Sequence, residues 1–337
     1  MKKIVTMSDI AKTLGVSTVT VSKALADKEG VSDEIRAKIK QVANEMGYRY
    51  NVAAKSLKDG LTYNVGIIIA ERFIEVGVSF YWQLYKRLAD ELMKINYYAV
   101  FEILKPSEEQ TATEPKMVID KKVDGIIVLG QVGKEYFNMI KAASVPAVFI
   151  DFYENDSTQD FIITDNFYSM YMLTNYLIEM GHRDIGFVGN IRATSSIQDR
   201  YLGYLKSLIE NDIDLDRCKQ WYISDRDDES GHVDFELKAN LPTAFVCNCD
   251  NVAYELIRKL SEKGYRVPDD ISVVGFDNYS VTANESVRLT TAEVDMKAMA
   301  HTAIDVLMKR INNVKAKRGI KQVSCKIIIR DSVKRLK

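Results

Sequence analysis

The chain has 337 residues, 47% of them hydrophobic and 28% charged, with a formal net charge of −1. That length excludes a staple-held mini-protein and suggests two or three domains with a sizeable core, while the composition excludes a disordered chain. The four cysteines, Cys218, Cys247, Cys249 and Cys325, follow no framework spacing. There is no basic start, apolar run and cleavage site of an export signal, and no apolar stretch of membrane-spanning length. A cytoplasmic protein with free thiols and no membrane partner is therefore expected.

The overall balance conceals an asymmetry. The first sixty residues hold eleven Lys or Arg against seven Asp or Glu, net +4, which leaves −5 for the remainder. A small basic segment on an acidic body suits a nucleic-acid reader, and equally a solvated surface.

Thr6 with Asp9 forms a capping box, and Met7, Ile10, Ala11 and Leu14 follow at helical spacing until Gly15 stops the pattern. Ser17 can cap a second helix with Val21, Ala24 and Leu25 inward and Thr18, Val19, Ser22 and Lys23 outward. Ser32 starts a third, with Asp33 and Glu34 at its positive end and Ile35, Ile39, Val42 and Met46 as its buried stripe. The outer face of the second helix is short, polar and uncharged apart from Lys23. Such a face fits a major groove, where hydroxyls and a methyl meet base edges and phosphates. Pattern alone leaves open a helical bundle that docks another protein.

Asp9-Ile10-Ala11, Gly15-Val16-Ser17, Val21-Ser22-Lys23-Ala24-Leu25, Val31-Ser32 and Gly47-Tyr48 together resemble the helix-turn-helix headpiece of the lac/gal repressor (LacI/GalR) family. The resemblance implies that Thr18, Val19 and Lys23 read bases, and that Thr6, Ser17, Thr20, Ser22, Ser32 and Tyr48 contact or orient phosphates. Residues 51–61 then correspond to the family's hinge, which folds on the operator and wedges a leucine into the minor groove. Leu57 falls on the wedge position, with Asn51, Ala54 and Lys55 as supporting contacts. Tyr50 departs from the proline many members carry there.

From Tyr63 onward, apolar runs alternate with helical patterns: strands over 65–70, 97–101, 125–129 and 147–151, and a helix over 82–94. After Asn166 the rhythm repeats, with a helix to Met180 and strands over 185–189, 221–223, 244–246 and 271–276. Alternation of this kind predicts parallel sheets covered on both faces, in two lobes with a cleft between them, and ligands at the carboxyl ends of the strands. Thr164-Asp165-Asn166, Arg200-Tyr201-Leu202-Gly203, the 271–278 run Ile-Ser-Val-Val-Gly-Phe-Asp-Asn and Leu289-Thr290-Thr291 resemble effector-domain motifs of the same family. The implied fold class is α/β. A three-helix headpiece (1–50) and hinge (51–61) precede a periplasmic-binding-protein-like effector domain with two Rossmann-like lobes, 62–163 with 292–323 and 164–291 with 324–337. Crossings between lobes fall near Thr164, Thr291 and Val323.

By the same resemblance Arg200 and Asp277 contact the effector, a pairing of donors and acceptors that suits the vicinal diols of a sugar. Asp151 at a strand end adds a polar contact, and Phe80, Tyr81 and Trp82 offer a stacking face, with at least one of the three expected in the core. Two departures stand out: Cys249-Asp250 where many relatives have Asn-Asp, and Arg226 where sugar or purine binders carry an aromatic. Arg226 favours an acidic or phosphorylated effector, or else pairs with Asp225, Asp227 or Asp228. Cys247 and Cys249 read as buried thiols rather than metal ligands, since no second pair lies at ligand spacing. No catalytic motif occurs, and no cofactor is expected. The expectation is a homodimeric regulator, most often a repressor in this family, that binds a pseudo-palindromic DNA operator under control of a sugar or sugar phosphate. A pure binding protein and a sugar-modifying enzyme with an appended DNA domain are the alternatives.

Overall fold

Thr6 ends an extended segment, and its side chain takes the backbone N–H of Asp9 while the Asp9 carboxylate takes that of Thr6, so the first helix, α1 (Met7–Leu14), begins with two of its free donors satisfied. Gly15 closes it at φ +62°, a left-handed position that costs glycine little. Ser17 accepts the N–H of Thr20 and opens α2 (Thr18–Leu25), and α3 (Asp33–Glu45) follows Ser32 with Asp33 and Glu34 in its first turn. Ile10, Ala11, Val21, Ala24, Ile39 and Ala43 form the core of this small unit. Ile35 does not join it. It is 43% exposed, because the inward stripe of α3 is Ile39 and Ala43, one turn further on.

The structure is a computed structural model that describes residues 5–25, 27–48, 56, 59–74, 80–226, 233–278 and 287–336. The chain divides into two units, Met1–Thr62 and Tyr63–Lys337. Tyr50, Asn51, Ala54, Lys55 and Leu57, on which the hinge expectation rests, lie outside the described residues, as do Asp227 and Asp228.

The second unit is built on parallel sheets. In chain order its first elements are β1 (Asn64–Ala70), α4 (Phe80–Lys94), β2 (Tyr98–Leu104), α5 (Pro106–Gln110), α6 (Lys116–Ile119), β3 (Gly125–Leu129), α7 (Lys134–Ala142), β4 (Ala147–Ile150) and β5 (Asp160–Thr164). There follow α8 (Asn166–Glu179), β6 (Ile185–Val188), α9 (Ser195–Glu210), α10 (Leu215–Lys219), β7 (Ala244–Cys247), α11 (Asp250–Glu262), β8 (Ser272–Val274), β9 (Thr291–Val294), α12 (Met296–Ile311), β10 (Gly319–Val323) and β11 (Cys325–Ile328).

Six strands form one sheet in the order β10-β5-β4-β3-β1-β2, every pair parallel. Three more, β6-β7-β8, form a second parallel sheet, and β9 pairs antiparallel with β11. The strands β1, β3 and β4 are buried almost throughout, as parallel strands covered on both faces must be. The run expected as a strand at 221–223 contributes only a bridge from Ile223 to Val188.

Three connections link the two sheets. Strand β5 runs into α8, which packs on β7, β9 and β11; β9 runs into α12, which packs on β3, β4, β5 and β10; and β10 is followed by β11, the partner of β9. Direct bonds also join the two sides. The Oε1 of Gln131, just past β3, accepts the N–H of Ser195 at 2.8 Å, and the Tyr153 hydroxyl donates to Asp199 at 2.8 Å.

Candidate functional site

In the first unit, the outer face of α2 carries Thr18, Val19 and Lys23, all exposed, with Val19 at 63%. An exposed valine among short polar neighbours is costly in water and useful against a thymine methyl. The hydroxyl of Thr6 is held in the capping box, and those of Ser17 and Thr20 are 2.8 Å apart. Ser22 and Tyr48 are half-buried, the latter against the helical core. Ser32 makes no side-chain cap bond, so its hydroxyl stands at the positive end of a thirteen-residue helix.

In the second unit, the polar residues gather where the strands end. Asp151 follows β4 and Asp277 lies just beyond β8, both with positive φ, +70° and +108°. Aspartate at such angles stores strain of about 1–3 kcal/mol, which the surrounding packing must hold. Arg200 comes from the first turns of α9. It reaches this place because Gly203, one turn on, lets α9 press against α8: a Cβ on Gly203 would lie 2.2 Å from the carbonyl oxygen of Phe167. With the helices that close, the Arg200 Nε donates to Asn166 Oδ1 at 2.8 Å, and Nη1 donates to the Asn248 carbonyl at 2.6 Å. Nη2 stands 3.5 Å from Asp277 Oδ1. The guanidinium also lies 3.8 Å from the centroid of the Phe276 ring.

Asp151 is buried, and its Oδ2 accepts the Tyr81 hydroxyl at 2.7 Å, while its Oδ1 has no hydrogen-bond partner among the described residues. The Tyr81 ring is seated against Gly130, where a Cβ would come within 3.0 Å of it. Burial raises the Asp277 carboxyl to about 7, against the attraction of Arg200 and with the help of Asp151's repulsion. Burial also raises Asp151, while Arg200 and the Tyr81 hydroxyl pull it back. Burial, and then the nearby Asp277, raise the Cys249 thiol to about 12, so it is a neutral group at ordinary pH.

Arg226 is paired. Its Nε and Nη2 donate to Asp225 Oδ2 at 2.9 and 2.6 Å, and its charge is felt by Cys249. The ion pair with Asp225 that the sequence allowed is formed. Tyr81, Asp151, Arg200, Arg226, Cys249 and Asp277 therefore share one electrostatic neighbourhood. Phe80 meets it only edge-on, through Tyr81 at 5.4 Å. Trp82 is 39% exposed, stacked on Tyr85 and edge-on to Phe101, so it is not a core residue. Sequence reasoning missed Asn166 and Asn248 as holders of Arg200. Asn166 sits in the Thr164-Asp165-Asn166 motif, and Asn248 adjoins the noted departure at Cys249.

Among the described residues no helix is long and apolar enough to cross a membrane. Residues 6–51 match the family described as bacterial regulatory proteins of the lacI family, and residues 174–333 match the periplasmic binding protein-like domain. The HTH-type transcriptional repressor PurR of Actinobacillus pleuropneumoniae serotype 3 (strain JL03) is 30% identical over 319 residues, 91% of each chain. The repressor of the same name from Pasteurella multocida (strain Pm70) is 28% identical over 98% of each. Among solved structures, the lac repressor dimer bound to operator and the anti-inducer ONPF shares the fold with a TM-score of 0.75 at 21% identity, covering 98% of this chain and 100% of that one. The complex of the transcriptional regulator CelR with cellobiose gives 0.69 at 20%, covering 97% and 99%. The chain thus belongs to the lacI family of bacterial regulatory proteins: it is a DNA-binding transcriptional regulator with a periplasmic-binding-protein-like effector domain, and not an enzyme.

Proposed function

We propose that the chain acts in the cytoplasm as a homodimeric repressor whose grip on a pseudo-palindromic operator is set by a sugar-like molecule held between two lobes. The headpiece, 1–50, lays α2 in the major groove with Thr18, Val19 and Lys23 on base edges. Thr6, Ser17, Thr20, Ser22, Ser32 and Tyr48 serve the phosphates. The hinge, 51–61, supplies Leu57 as the minor-groove wedge, with Asn51, Ala54 and Lys55 beside it. The first lobe is 62–163 with 292–323 and the second is 164–291 with 324–337, limits supported by the three connections between the sheets.

The observation that carries the effector reading is the buried Asp151 Oδ1, which has no hydrogen-bond partner among the described residues, in the neighbourhood of the Arg200–Asp277 pair. A buried acceptor calls for a donor, and a bound polyol supplies donors to Asp151 and Asp277 and acceptors to Arg200. Such a ligand favours one setting of the lobes over another, and the Gln131–Ser195 and Tyr153–Asp199 bonds are what a change of setting must remake.

The test is fluorescence anisotropy on duplexes from the chain's own upstream region, with a thermal-shift screen of sugars and sugar phosphates. Asp277→Asn and Arg200→Gln are expected to abolish the effector response while operator binding persists. A chain that prefers no duplex over bulk competitor, or whose response survives both substitutions, overturns the reading.

A further inference from the structure

Asp225 is completely buried, and both of its carboxylate oxygens accept hydrogen bonds. Oδ1 accepts the backbone N–H of Asn190 at 2.6 Å. Oδ2 accepts Nε and Nη2 of Arg226 at 2.9 and 2.6 Å, and Nδ2 of Asn248 at 3.1 Å. The loop is fixed on its other side too, since the Arg226 carbonyl accepts the Ser224 hydroxyl at 2.9 Å and the Asp225 carbonyl accepts the N–H of Asp234 at 2.9 Å. Asn248 connects this node to the effector neighbourhood: its side chain donates to Asp225 while its backbone carbonyl accepts from Arg200.

The consequence is a matter of charge. Without Asp225 the neighbourhood would hold two unbalanced guanidinium groups, Arg200 and Arg226, beside the buried carboxyl groups of Asp151 and Asp277. With it, the Arg226 charge is balanced within the loop, and Arg200 faces Asp151 and Asp277, whose carboxyl groups burial pushes towards the neutral form. A phosphate or carboxylate entering here gives up its water with Arg226 held by Asp225 and Arg200 held by Asn166, Asn248 and Asp277, whereas a neutral hydroxylated ligand has no charge to desolvate.

We propose that Asp225 is the positioning residue that sets the charge selectivity of the effector site: by neutralising Arg226 through two N–H bonds to one oxygen, it makes the site accept uncharged polyols and reject phosphorylated or acidic ones. This rests on the reading of the cleft as the effector site. Asp225 touches no effector itself; it fixes where the Arg226 guanidinium points and how much of its charge is left for a ligand.

The experiment uses the full chain and inorganic phosphate as probe, titrated by calorimetry at constant ionic strength with chloride as the control anion. The wild type is expected to bind phosphate no better than chloride. Asp225→Asn keeps the shape of the side chain and removes its charge, which releases Arg226. Phosphate affinity is then expected to rise roughly tenfold or more, the scale of one freed charge-assisted contact. The gain must vanish in the double variant Asp225→Asn/Arg226→Met. An unchanged phosphate affinity in folded Asp225→Asn, or a gain that persists without Arg226, overturns the proposal.

Should Asp225→Asn fail to fold, the wild type decides. Phosphate binding that Arg226→Met removes overturns the proposal, and indifference to phosphate supports it. The phosphate readout needs no sugar, so failure of the effector reading shows separately, as an unaltered sugar response in Asp277→Asn.

Discussion

The hydroxyl of Tyr81, at the start of α4, donates to Asp151 Oδ2 at 2.7 Å, and this bond ties a helix that follows β1 to the end of β4. It serves one Asp151 oxygen, while the other has no hydrogen-bond partner among the described residues. In Tyr81→Phe the carboxylate loses its neighbouring donor while the ring stays packed against Phe73 and Gly130. A buried acceptor stripped of its partner costs about 1–3 kcal/mol. Urea unfolding of the full chain is expected to show that loss, and added effector is expected to recover part of it by supplying the missing donor. A neutral substitution means that the bond contributes nothing net to stability.

Gly203 matters through Phe167. A methyl group there meets a backbone carbonyl that cannot swing aside, so Gly203→Ala must push α8 and α9 apart. Overpacking of this kind costs about 1–3 kcal/mol or more. Because Asn166 rides on α8 and Arg200 on α9, the same displacement breaks their 2.8 Å bond. The expected result is a lower unfolding midpoint together with a weakened effector response, and a variant that loses stability but keeps its full response separates packing from function.

On the headpiece, base contact and phosphate contact predict different losses. Val19→Ala removes the exposed Val19 methyl groups from α2 and is expected to relax discrimination at one base pair in each half-site by about 1 kcal/mol, the scale of burying one methyl group. Ser32→Ala removes an uncharged hydroxyl at the start of α3 and is expected to weaken every duplex alike. Anisotropy against a set of singly substituted operators distinguishes the two patterns, and a uniform loss for Val19→Ala removes it from base reading.

What the sequence made legible followed the range of the forces involved. The capping box at Thr6 and Asp9 and the stop at Gly15 are local, so the headpiece can be read directly. Periodicity gave the direction of α3 but not the width of its buried stripe, which α1 and α2 decide, and Ile35 fell outside it. Strand β10, Gly-Ile-Lys-Gln-Val, is half-exposed at a sheet edge and carries too little apolar character to stand out; only its parallel pairing with β5 makes it a strand. In the candidate site, Arg200 and Asp277 each stand in a recognisable motif, and the fold brings the two within 3.5 Å. Whether the adjacent side chains of Asp225 and Arg226 meet depends on backbone angles that no spacing rule supplies, and the fold of the loop is what pairs them.

Asp277 makes the unliganded protein sensitive to pH in a direction opposite to that of a salt-bridged carboxylate. Its pKa rises from an ordinary 3.8 to about 7 on folding, so between these limits the folded state holds a proton that the unfolded chain releases. Stability therefore falls as pH rises, by at most ~1.4 kcal/mol per pH unit, and the penalty is complete above about 7. Around Asp277 stand Arg200, which lowers its pKa, and Asp151, which raises it. Asp277→Asn removes the titrating group, so its unfolding free energy is expected to lose this falling component between pH 5 and 7, while the wild type retains it. Hydroxyl donors from a bound polyol favour the ionised carboxylate, so effector affinity is expected to rise with pH up to about 7 and then level off. Denaturant titrations and calorimetry at matched ionic strength read both slopes, and a wild type whose stability runs parallel to that of Asp277→Asn over that interval shows that Asp277 is not the group that titrates.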